Sequence, residues 1–335
     1  MFSSTYTSNA ATTLPALSLQ GNTRVTIGDE NRPIGLSSRR YAQASKSDAT
    51  LRAYGAALRS FEAWCKGFDL VALPAEISTV ADFLSAEADN GLSVSTIAQK
   101  AAAIRWAHKT AGLPSPTEAE AVQNVMRGIR RSVGVAPRQK APATAECILT
   151  ILAHVPATTL VGKRDRALLL LGFAGAFRRS EIASLMVEDL AFGENGVDVT
   201  IRKSKTDQEG RGQAVAIPHG VHLKPVEALQ AWLAASGIKS GPVYRAVSRG
   251  DKMGREAITG HTVANVVKRY AGKAGLAVAD FSGHSLRAGF VTSAADRGAD
   301  LNRIMDVSRH VDPRTVRTYI RRADRYKDHA GSSFL

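Results

Sequence analysis

Four short segments hold residues whose types and order could act on a phosphate ester. They are Ala176-Phe177-Arg178-Arg179-Ser180-Glu181, Lys203-Ser204-Lys205-Thr206, Gly283-His284-Ser285-Leu286-Arg287, and the stretch from His310 to Thr318-Tyr319. Cleaving a phosphodiester without a metal sets three demands. Charge gathers on the non-bridging oxygens in the transition state, and fixed cations must meet it. Arginine suits this because its planar fork holds two oxygens and stays charged, so Arg178 and Arg287 can clamp one phosphate from two sides. A nucleophile is needed, and the Tyr319 hydroxyl, with a free pKa of about 10, must lose its proton as it attacks. The departing oxygen must gain a proton, which a lysine desolvated against the substrate can give.

Taken singly, each residue has a plainer explanation. An arginine at a helix end is ordinarily a surface cation, and Arg179 fits that description or a nonspecific phosphate contact. His284 stands just before a helix, where a cap is an ordinary role. A lone tyrosine is usually half-buried packing, and Tyr326 is a rival nucleophile seven residues beyond Tyr319. Lys203 competes with Lys205 in the same polar stretch. The order and spacing of the whole set carry the argument.

That order resembles the tyrosine recombinases, also called phage-type integrases, and within them the Cre-like group. The family pattern is an Arg, a Lys on a β-hairpin, His-x-x-Arg, a His or Trp, then a Tyr. Here it reads Arg178, Lys205, His284-x-x-Arg287, His310 and Tyr319, with nine residues from His310 to Tyr319 as in the family. The likeness extends to Ala63-Trp64-Cys65-Lys66 and Gly112-Leu113-Pro114-Ser115-Pro116, and covers about residues 45–330. It implies that Arg178 and Arg287 bind the scissile phosphate and that His284 supports proton transfer at the nucleophile. Lys205 would be the general acid, and His310 would hydrogen-bond the phosphate. Glu181, three residues after the first arginine, would fix the geometry. Ala288 departs from the histidine that many relatives carry after the second arginine, a departure shared by some Cre-like members.

Such a set needs a frame. From about Ser47, Leu51, Tyr54, Leu58, Phe61 and Trp64 or Cys65 recur at three and four residues, the stripe of an amphipathic helix that closes at Lys66-Gly67. Further helices are expected after Ser78, from Ser93 or Ser95 to Gly112, and after Pro114 and Pro116 through Ile129. Residues 134–142, with two prolines and one glycine, read as a linker. Beyond it, helices are expected at about 144–154 and 163–176, then a hairpin of Val197–Ile201 and Ala214–Ile217 with a long polar tip. Helices follow at about 222–235, 259–273, 284–297, 300–307 and 313–319.

The expected fold is mainly α: residues 41–133 an all-helical core-binding domain, residues 143–335 a mixed α/β, mostly helical catalytic domain with a small antiparallel hairpin. Residues 1–40 read as a poorly ordered arm. In the tail, Ala323, Tyr326 and Ala330 are spaced for one helical face, which in Cre-like relatives docks into a neighbouring protomer.

Lys and Arg number 44 against 30 Asp and Glu, a formal charge of +14, which favours a polyanionic partner. The stretch from Lys100 to Lys140 alone carries eight basic residues against Glu118 and Glu120. No apolar run is long enough for a membrane span, and two distant cysteines, Cys65 and Cys147, fit a reducing, cytoplasmic setting. The family likeness implies a duplex recombination site as partner, a homotetramer on synapsed DNA, no cofactor or metal, and accessory DNA-bending proteins in some systems. Expected contacts to DNA are Gln99, Arg105 and Lys109 in the first domain, and Arg179, Lys203, His261 and Lys268 in the second. Two other functions would use the same frame: relaxation of DNA by a type IB topoisomerase, and a catalytically silent DNA-binding regulator.

Overall fold

The computed structural model describes residues 45–134, 140–202, 212–248 and 250–323. Lys203, Lys205, the proposed linker's core and the tail beyond Ala323 lie outside these residues. The chain divides into two compact units, with the boundary between Pro137 and Arg138.

The first unit is built from α1 (Asp48–Gly67), α2 (Ile77–Asp89), α3 (Val94–Thr110) and α4 (Glu120–Val133), with a 3-10 turn at Pro116–Glu118 before the last. Serines set two of the starts: Ser47 Oγ accepts from Thr50 N, and Ser93 Oγ from Thr96 N, both at 3.3 Å. The expected stripe of α1 is the buried one. Leu58, Phe61 and Cys65 meet Val80, Phe83 and Leu84 of α2, Ile97 and Ile104 of α3, and Val122, Met126 and Ile129 of α4. Phe61 and Phe83 stack at 4.9 Å between ring centres. Two polar ties brace this core. Lys100 Nζ reaches Glu87 Oε2 at 2.7 Å and Ser60 Oγ at 2.8 Å, joining three helices. The buried His108 ring spans the carbonyl of Ile104 and the amide of Ala75, which donates to Nε2 at 3.0 Å.

The second unit opens with α5 (Ala145–Ala153), α6 (Leu160–Ala174) and α7 (Arg179–Ser184). An antiparallel sheet β1 (Leu190–Gly193), β2 (Gly196–Ile201) and β3 (Gln213–Pro218) follows, then α8 (Pro225–Ser236). A hairpin of β4 (Arg245–Val247) and β5 (Met253–Ala257) leads to α9 (Gly260–Lys273), α10 (Ser285–Asp296), α11 (Leu301–Ser308) and α12 (Pro313–Ala323). Among the described residues this makes a mainly helical protein with two small sheets. No described helix is long and apolar enough to cross a membrane.

The expected hairpin is β2–β3, in a register that pairs Val197 with Ile217 and Val199 with Val215. Those four side chains point into the core while Asp198 and Thr200 face out. Strands β1, β4 and β5 are additions to the sequence reading. They are short and largely exposed, so no alternation of apolar and polar residues announces them.

Helix α6 runs through the middle of the second unit. Its residues Ala167 to Leu171 and Phe173 are buried on every side, as befits a helix without a polar face. Near its start Asp165, fully buried, accepts from Arg164 Nε and Nη2 at 2.9 and 2.7 Å and from Tyr270 Oη at 3.0 Å. Arg164 Nη1 also donates to the Arg245 carbonyl, so one carboxylate joins α6, α9 and β4. Burial beside that carboxylate pushes the Tyr270 hydroxyl up to about 12.

The leading segment of this unit is laced to α10 and to the turn that precedes it. Ala141 N donates to the Asp280 carbonyl at 2.7 Å, Ala143 N to the Ser285 carbonyl at 2.9 Å, and Ala145 N to Ser293 Oγ at 2.9 Å. Gly289 permits this approach, since a Cβ there would stand 1.8 Å from the Ala143 carbonyl oxygen.

Candidate active site

Helix α6 stops at Ala174, and Ala176 then takes a left-handed conformation with φ 46°. The elbow turns the Ala176 carbonyl inward and leads through buried Phe177 to Arg178, the extended N-cap of α7. Glu181, three residues on and 3% exposed, closes back on this cap. Its Oε2 accepts from the Arg178 backbone N–H at 2.9 Å and its Oε1 from Arg178 Nη1 at 2.7 Å. The carboxylate thus holds both the main chain and the side chain of Arg178.

Arg287 enters from α10. It is 1% exposed, and its Nη1 donates to the Ala176 carbonyl at 2.9 Å. Its Nη2 makes no hydrogen bond among the described residues. His284, exposed just ahead of this helix, is fixed by its backbone N–H to Ser282 Oγ at 3.2 Å. His310 follows α11, with Nδ1 2.7 Å from Ser308 Oγ. Tyr319 lies half-buried on α12, whose start Asp312 caps through Oδ1 to Arg314 N at 2.9 Å. Its ring packs against the cluster of Val291, Ala295, Ile304 and Val316.

The electrostatics reveal how closely these groups gather. Burial, then the neighbouring charges of Arg178 and Arg309, push the Arg287 guanidinium down to about 9, against the opposing pull of Glu181 and Tyr319. Burial first, then Arg287, Arg178, His284 and Arg309, push the His310 ring down to about 3. The structure therefore brings Arg178, Glu181, His284, Arg287, His310 and Tyr319 into one electrostatic neighbourhood. A cluster so rich in cations, with Arg287 and Arg309 buried and Arg178 and His284 nearer the surface, is suited to receive an anion.

Arg309 is a member that sequence reasoning missed. Its side chain is 3% exposed and its Nη2 donates to Glu181 Oε2 at 2.8 Å. The available signal was faint: an arginine beside a candidate histidine, at the end of a short helix.

The expected DNA contacts are distributed differently. Arg179 is exposed beside the site, with Gly260 and Gly283 against its stem; a Cβ on Gly283 would stand 2.8 Å from Arg179 Cβ. His261 and Lys268 are exposed on α9, seven residues apart and so on one face. In the first unit Gln99, Arg105 and Lys109 are exposed on α3. Arg105 and Lys109 are not free cations, however. Both point at Glu118 Oε1, at 3.8 and 2.8 Å, and the Lys109 bond holds that carboxyl below its ordinary range.

A helical unit with arginines, histidines and a tyrosine gathered at helix ends defines a class, and comparison with known proteins agrees. Residues 144–325 match the phage integrase family. The chain is 36% identical over 307 residues to the integrase/recombinase xerD homolog of Selenomonas ruminantium, covering 90% of each chain. It is 28% identical over 291 residues to the recombinase cre of Escherichia phage P1, covering 79% of this chain and 82% of that one. Its fold is similar to that of XerH site-specific recombinase bound to palindromic difH substrate, with a TM-score of 0.57 at 18% identity over 77% of this chain and 72% of that one. The protein belongs to the phage integrase family and is a tyrosine-type site-specific DNA recombinase.

Proposed function

We propose that the chain cuts and rejoins duplex DNA through a 3′-phosphotyrosyl intermediate at Tyr319, using neither metal nor ATP. The observation that carries this reading is the pair Arg178 and Arg287, each guanidinium tied to a buried acceptor, with Arg178 and Tyr319 both among the charges that act on Arg287. Preorganised charge of this kind does not reorient as the reaction proceeds, and it is usually what lowers a reaction barrier most.

In the proposed step Tyr319 Oη attacks phosphorus while its proton passes toward His284. A bond forms between Oη and phosphorus, and the bond from phosphorus to the 5′ oxygen breaks. That oxygen takes a proton from Lys205. Arg178 and the unbonded Nη2 of Arg287 hold the non-bridging oxygens. The neutral His310 ring, with Nδ1 engaged by Ser308, offers Nε2–H to a further oxygen. Rejoining is the reverse attack by a 5′ hydroxyl, so the phosphotyrosyl bond conserves the energy of the broken one.

The substrate would be a specific duplex site, synapsed with a second by four protomers, and accessory DNA-bending proteins would assist in some settings. The helical unit ahead of Pro137 would serve as core-binding domain. Its exposed α3 residues and the α9 pair His261 and Lys268 would contact phosphate or base edges.

The test starts by selecting covalent adducts of the wild-type chain from a nicked random-sequence duplex library, in EDTA and without ATP. Adducts should form, and Tyr319→Phe should trap none on the selected sequence. An adduct with the phenylalanine variant, or a requirement for metal or ATP, would overturn the reading.

A further inference from the structure

We infer that Arg309 is a positioning residue for strand cleavage, a role that rests on the reading just given. It would lock Glu181 and the Ala176 carbonyl and so set the aim of Arg178 and Arg287. The two groups that accept from those arginines, the Glu181 carboxylate and the Ala176 carbonyl, are both also held by Arg309. Glu181 Oε2 receives both the Arg178 backbone N–H, at 2.9 Å, and Arg309 Nη2, at 2.8 Å. The Ala176 carbonyl receives Arg287 Nη1 at 2.9 Å and lies 3.5 Å from Arg309 Nη2. Arg309 Nη1 donates to the carbonyls of Gly175 and Val307, at 3.1 and 3.0 Å. The guanidinium also lies over the Phe177 ring, 5.0 Å from its centre. One planar fork therefore joins the end of α11 to the elbow that presents Arg178.

The backbone makes the choice of residue telling. Arg309 is the left-handed C-cap of α11, with φ 57°. A side chain there is strained relative to glycine, the usual occupant of such caps. A further buried cation beside Arg178 and Arg287 adds repulsion. Both costs fall away with Arg309→Gly, which suits the backbone and releases Glu181 to rotate. Arg309→Lys keeps the charge, yet one ammonium cannot span Glu181 and three carbonyls as the fork does.

The experiment compares the full-length wild type, R309G and R309K on the selected duplex, reading Kd by gel shift and single-turnover adduct formation separately. Misplacement of the clamp by an ångström is worth about a hundredfold in rate, so both variants should cleave about that much more slowly. Their Kd should stay within about threefold of wild type, because phosphate contacts across the whole duplex dominate affinity. If R309G does not fold, R309K with native circular dichroism decides alone. Cleavage at the wild-type rate by R309G, or restoration of that rate by R309K, overturns the inference.

A second probe, inorganic phosphate followed by the thermal shift of the DNA-free protein, separates this proposal from the one it rests on. If Tyr319→Phe still traps DNA, the nucleophile is wrong. In that case loss of phosphate stabilisation in R309K still supports the clamp, and its retention sinks it.

Discussion

His310 illustrates how much a single side chain is governed by its surroundings. Burial, with the charges of Arg287, Arg178 and Arg309, holds its ring neutral down to about pH 3, whereas in the unfolded chain it protonates near 6.5. The native state therefore binds fewer protons than the unfolded one between those values. Stability is intact above about 6.5 and declines as pH falls through that window. Between pH 7.5 and 5.5 the wild type should lose up to about 1.4 kcal/mol more than His310→Asn, measured by urea unfolding at both pH values. Equal losses would mean that the ring is protonated in the native state. At this scale the sequence was informative where type and spacing coincide. Arg178, Glu181, His284, Arg287, His310 and Tyr319 could be picked out because only their joint order has a chemical meaning. Arg309 could not, because nothing local distinguishes a buried arginine from a surface one, and its left-handed cap is normally marked by glycine rather than by a long cation.

The helices are held at the angles that the site needs by polar ties within their apolar packing. Asp165 is the central one in the second unit: it accepts from Arg164 and from Tyr270 of α9, and Arg164 in turn donates to the Arg245 carbonyl of β4. Asp165→Asn leaves the buried Arg164 charge without its counterion and should cost about 3–5 kcal/mol in urea unfolding. Tyr270→Phe removes one hydrogen bond of the same group and should cost about 1 kcal/mol. Helices were the most legible elements because their apolar stripes repeat over several turns, as in Leu58, Phe61 and Cys65. Their starts were also marked, by Ser47 and Ser93. Strand β1 had only a glycine-bounded turn at Gly193–Gly196 to announce it, and β4 and β5 present mostly exposed residues. Such strands are defined by their pairing partners, which a linear reading does not see. The Asp165 tie was equally hidden, since Tyr270 and the Arg245 carbonyl stand far along the chain from the Arg164–Asp165 pair.

For the molecule as a whole, net charge governs the encounter with a polyanion. Binding to duplex should weaken linearly in log salt, by a slope of about 0.9 per phosphate contacted. Glu118 acts against this by occupying Arg105 and Lys109. Glu118→Gln should therefore strengthen nonspecific duplex binding and steepen that slope by up to about 0.9 for each cation released. An unchanged slope would show that those two residues do not meet DNA. Removing residues 322–335 should leave binding to a single half-site intact while abolishing cooperative assembly on a full site, as read in a gel shift. Unchanged cooperativity would count against a docking tail.

The lacing of residues 141–145 onto residues 280–293 also fixes when this protein can become active during its synthesis. The first amides of the second unit have partners that are made some 140 residues later. A ribosome that has translated Arg178 and Glu181 has yet to make Arg287, Arg309 or Tyr319. The first unit can fold as it emerges, but the second must wait for nearly the whole chain. A product that stops short of Arg309 therefore lacks the assembled clamp, and one that stops short of Tyr319 also lacks the proposed nucleophile.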